Sequence, residues 1–61
     1  MAQGTYRLVK FAIAELESVL AELREVDDTS NSNEERKEHS KLAKEHARIA
    51  GETIATVRQQ L

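Results

Sequence analysis

Apolar residues recur at alternating three- and four-residue steps through the first part of the chain: Val9, Ala12, Leu16, Val19, Leu23 and Val26. Leu8, Ile13 and Leu20 widen that row. The period is that of an amphipathic α-helix, and at 100° per residue the stripe is about 160° across, wide enough to touch more than one neighbouring helix. Glu15, Glu17, Glu22 and Glu25 fall on the opposite side and are expected to face water. Thr5 is placed as the N-cap, with Gly4 freeing the entry and Met1 to Gly4 forming a frayed start. Asp27 and Asp28 would oppose the helix dipole if they stayed helical, a reason for the helix to end there.

A single cluster of turn-forming residues follows, from Asp27 to Asn33, and the pattern then resumes. Ser32 and Glu35 have the separation of a capping box, and Glu34 and Glu35 suit the positive end of a helix. Leu42, Ala43, Ala47, Ile49, Ala50, Ile54, Val57 and Leu61 are the apolar positions of this second segment. Ala43, Ala47, Ala50 and Gly51 form a strip of small residues that suits a close interhelical contact, and Gly51 costs roughly 1 kcal/mol against Ala in a helix interior. Lys41–Glu45 and Arg48–Glu52 stand at the four-residue spacing of a solvated face. The expectation is an all-α unit spanning residues 1–61, with one helix over about 5–27, a loop over about 28–32 and a second helix over about 33–61.

Two such rods, about 33 and 42 Å long, make an antiparallel hairpin with only one seam. The wide stripe of the first helix would then stay largely wet, and pairing two hairpins into a four-helix bundle covers it. The likeness to small dimeric hairpin bundles is one of architecture, with no sequence motif behind it. The residues expected at these helix interfaces are Leu16, Val19, Leu20, Leu23, His39, Ala43, His46, Ala47, Ala50, Ile54 and Val57.

His39 and His46 interrupt the second helix's apolar face. His39 points along the direction of Val57 and His46 about 20° off, with Thr53 and Gln60 continuing the seven-residue series. A polar row in a core face is costly unless each member finds a partner, so the expected role is a satisfied layer that fixes register. A metal site is the sharper alternative. The two histidines are about 10.5 Å apart along one helix, so an ion would need copies from different chains or the four-spaced pair Glu35–His39. Glu35 competes as the capping residue, and no Glu precedes a His by three residues. A third alternative is a pH sensor, in which protonated histidines repel across a symmetry axis. Phe11 also departs from the pattern, lying about 140° from the stripe's centre among Arg7, Glu15, Ser18 and Glu22. Either another element covers it, or Phe11 with Arg7 is a partner contact.

Composition narrows the function classes. In 61 residues there is no cysteine, so disulfide staples, thiolate metal sites and thiol catalysis are excluded, and oligomerisation is the usual substitute for a missing staple. The cysteine-free composition fits a reducing, cytoplasmic setting. A formal charge of −2 gives no electrostatic reason to expect nucleic acid or an anionic membrane, and no apolar run is long enough for a membrane span. Neither a nucleophile motif nor a phosphate loop is present, so neither catalysis nor a cofactor is expected. The reading is a non-enzymatic, self-associating helical module, with a small regulator of a helical protein partner or a His-containing metal or ligand bundle as alternatives.

Overall fold

A computed structural model describes residues 2–61; Met1 lies outside the described residues. The chain is all-helical: α1 covers Gln3–Asp27 and α2 covers Asn33–Gln60, packed against each other as a hairpin. The molecule is a rod, 44 × 13 × 11 Å, with a radius of gyration of 14.1 Å.

Local chemistry sets the helix ends. Ala2 is the α1 N-cap and makes no side-chain cap bond; Tyr6 N–H donates to its carbonyl. The Thr5 cap is therefore not formed, and Gln3 and Gly4 belong to the helix. Thr5 is instead buried, and its hydroxyl donates to Gln60 Oε1 at 2.6 Å, tying the first turn of α1 to the last of α2. In the loop, the Ser30 backbone amide and hydroxyl both donate to Asp28 Oδ1, and the Asn31 side-chain Nδ2 donates back to the Glu25 carbonyl. Those two Ser30 bonds hold the Asp28 carboxyl below its ordinary pKa. Ser32 and Glu35 form the complete capping box at the start of α2, where the Ser32 hydroxyl accepts from the Glu35 amide and the Glu35 carboxylate accepts from the Ser32 amide. Arg36 Nε donates to the Val26 carbonyl at 2.7 Å and closes the loop end of the hairpin.

The core between the helices is made of small side chains. Ala12, Ala43 and Ala50 are its buried apolar residues, and no large side chain is fully buried among the described residues. Alanines at these positions let two backbones approach closely, and the half-buried Val19, Val26 and Val57 lie along the same line.

Candidate functional site: a polar seam and an exposed apolar face

Along α1 the positions turned toward α2 are Thr5, Leu8, Ala12, Glu15, Val19, Glu22 and Val26, each buried or half-buried. Along α2 they are Arg36, His39, Ala43, His46, Ala50, Thr53 and Val57. Both series advance by alternating three- and four-residue steps, the pattern of an antiparallel coiled-coil seam. Across it His46 Nδ1 meets Glu15 Oε2 at 2.5 Å, and His39 Nδ1 meets Glu22 Oε2 at 2.7 Å. An ionised carboxylate only accepts, so Nδ1 carries the hydrogen in both pairs. Each pair is still partly wet, with the four side chains between 16% and 33% exposed, so each adds little net stability.

Glu15 and Glu22 are the residues that the single-helix pattern misplaces. They do not face water across from the stripe; they face α2. A usable signal lay in the sequence: Glu15 and Glu22 are seven apart, and so are His39 and His46. An antiparallel pairing that matches one glutamate to one histidine matches the other automatically.

The seam also gives the hairpin a pH response of its own. His39 has its pKa raised, first by the bond to Glu22 and then by the charges of Glu22, Glu25 and Glu35, against an opposing contribution from partial burial. A raised histidine stabilises the folded state fully below its unfolded value near 6.5, and that contribution is lost as pH rises through the higher folded value. Acidification from neutral pH through the His39 value therefore tightens the hairpin through this pair rather than forcing it apart. Melting temperature is expected to fall as pH rises from below 6.5 through the raised His39 value, and Glu22→Gln is expected to flatten much of that slope. A wild-type curve that rises across the interval contradicts this assignment.

The remaining interface residues divide between the two sides of this seam. His39, Ala43, His46, Ala50, Val57 and Val19 lie in it, whereas Leu16, Leu20, Leu23, Ala47 and Ile54 are exposed. Tyr6, Ile13, Leu16, Leu20 and Leu23 share one side of α1 at helical spacing, about 110° around the helix from the direction of α2. In an antiparallel pair this side is continuous with the flank of α2 that carries Ala47, Gly51 and Ile54. A Cβ placed on Gly51 meets nothing within 4 Å, so the glycine opens a shallow hollow on the surface. Lys10 Nζ lies 5.3 Å from the Tyr6 ring at the rim of this face, within cation–π range. Phe11 is on the other flank, 47% exposed, with Arg7 also exposed; the register places Phe11 level with Ile49.

Among the described residues no group of three His, Cys, Asp or Glu side chains is placed to hold a metal ion. Glu35 is held in the capping box, and both histidines have their Nδ1 atoms engaged by carboxylates. No helix of the described chain is long and apolar enough to cross a membrane. No family model, curated protein or solved structure matches this chain.

Proposed function

We propose that the chain is a non-enzymatic, self-associating helical module whose exposed apolar face docks a second copy, giving a dimeric four-helix bundle. The observation that carries this reading is where the large apolar side chains sit. Tyr6, Ile13, Leu16, Leu20, Leu23 and Ile54 are each close to half exposed and lie on one side of the hairpin. Together they leave on the order of 600 Å² in water, the upper end for the largest patch on a monomer and close to the ~800 Å² one partner gives a standard interface. The whole-molecule surface agrees: it is 4700 Å², against ~4000 Å² for a compact monomer of this mass. Likewise the radius of gyration is 14.1 Å, where a compact chain of this length has ~10.5 Å. At about 25 cal/mol per Å², covering the face contributes on the order of 15 kcal/mol per chain before the costs of association.

A second reading, docking of a helix from another protein, draws on the opposite flank, where Phe11 and Leu42 are exposed. That patch holds two large side chains against six on the first face, so the self-associating reading is preferred. Mass in solution as a function of concentration separates them. Two chains support self-association, and a single chain that gains mass only with a partner supports the second reading.

A further inference from the structure

The exposed face is uneven along its length, and the unevenness bears on how a second copy docks. On α1 the apolar residues run the whole way from Tyr6 to Leu23. On the matching flank of α2 they occupy only the half remote from the loop, with Ala47, Gly51 and Ile54. The half near the loop carries Lys37, Ser40 and Lys44 at the corresponding positions, all exposed. The Glu15–His46 and Glu22–His39 pairs fix the register, so Leu20 and Leu23 lie level with Lys44, Ser40 and Lys37.

A twofold axis lets two such rods meet face to face in two ways. With both loops at the same end, α1 of each copy lies over α2 of the other at the same level. Leu20 and Leu23 then rest on the lysine-bearing half of α2, and their surface stays poorly covered. With the loops at opposite ends, α1 lies antiparallel on α1 and the apolar row meets its own copy. Its midpoint falls between Ala14 and Glu15, which sets Leu16 opposite Ile13, Leu20 opposite Val9, and Leu23 opposite Tyr6. On the α2 side Ala47 then lies nearest the axis, where a small side chain permits close approach. Ile54 of each copy then lies level with Lys37 and Ser40 of the other, so this arrangement sets one large apolar side chain per copy against the polar half, where the same-end arrangement sets two, Leu20 and Leu23.

Resting on the self-association reading, we infer that the occupant of this face is a second copy docked with its loop at the opposite end, α1 against α1. The chain has no cysteine, so Thr29→Cys places one nitroxide label at the exposed tip of the loop, where Thr29 makes no side-chain bond. Pulsed dipolar spectroscopy then measures the loop-to-loop distance. The opposite-end arrangement predicts a separation close to the 44 Å length of the rod. A dimer whose labels lie within about 25 Å, the breadth of two hairpins side by side, overturns the orientation but leaves self-association standing. A labelled chain with the mass of one molecule and no dipolar coupling overturns both.

Discussion

Leu16→Glu is expected to convert the proposed dimer into single chains. Leu16 lies near the centre of the exposed row on α1, outside the line of buried and half-buried positions that face α2, so the change acts first on docking. In a twofold assembly one substitution acts twice. Each copy loses the burial of a leucine, about 1.5–3 kcal/mol, and the combined cost of about 3–6 kcal/mol corresponds to a weakening of roughly 10² to 10⁴ in Kd. Desolvating two carboxylates adds to this, since neither finds a cation at the centre of the row. Lys41→Ala, on the solvated side of α2, is the matched control and is expected to move stability by no more than about 0.5 kcal/mol. Sedimentation of the two variants at equal concentration checks the pair. If Leu16→Glu and Lys41→Ala retained the same mass, the exposed row would not be the docking surface.

Ala50→Leu is the second large effect, and it acts on the hairpin itself. Ala50 is 1% exposed, the most buried residue of the seam, and with Ala12 and Ala43 it makes up the buried apolar core. Leucine is as good a helix former as most, so propensity is not at issue. Its extra carbons have no space to enter, and overpacking of this kind costs about 1–3 kcal/mol. In a unit of this size each kcal/mol moves the melting temperature by about 4–8 °C, so a fall of roughly 10 °C is expected. Prising the helices apart also lengthens the Glu15–His46 contact, which lies one turn away in the same seam. Ala55→Leu, on the exposed side of the same helix, makes the same chemical change without the crowding and is expected to leave the melting temperature nearly unchanged. Equal effects at positions 50 and 55 would contradict the small-residue seam.

The two helices and their junction were legible in the sequence because their causes are local. The Ser32–Glu35 capping box needs only residues three apart, and the loop from Asp28 to Ser32 is held by side chains bonding their own neighbourhood. The Thr5 cap does not form because the hydroxyl has a better partner in Gln60, 55 positions along the chain, which no local rule detects. Rotation of α1 about its own axis was harder still. Hydrophobicity alone points the Leu16–Leu20–Leu23 row at whatever helix is nearest. What turns α1 instead is the character of α2, whose central face holds alanines and histidines. Alanine meets alanine at close range, and each histidine meets a glutamate. This leaves the leucines pointing outward. Pairing between helices, rather than the amphipathic pattern of either one, decides which face is inside.

Phe11 shows the same effect from the other side. Its distance from the centre of the stripe marked it as an anomaly, and it lies beside the seam rather than far from it, on the flank shared with Ile49 and Leu42. The neighbours that made it look solvated, Glu15 and Glu22, are the ones engaged by His46 and His39.

Sedimentation equilibrium of the unmodified chain, from about 100 µM down to about 1 µM near neutral pH, tests the central claim most directly, because self-association follows mass action. A mass of two chains is expected at the upper concentrations, with any dissociation on dilution accompanied by loss of helical signal. A fully helical, cooperatively melting chain with the mass of one molecule throughout that range would contradict that claim.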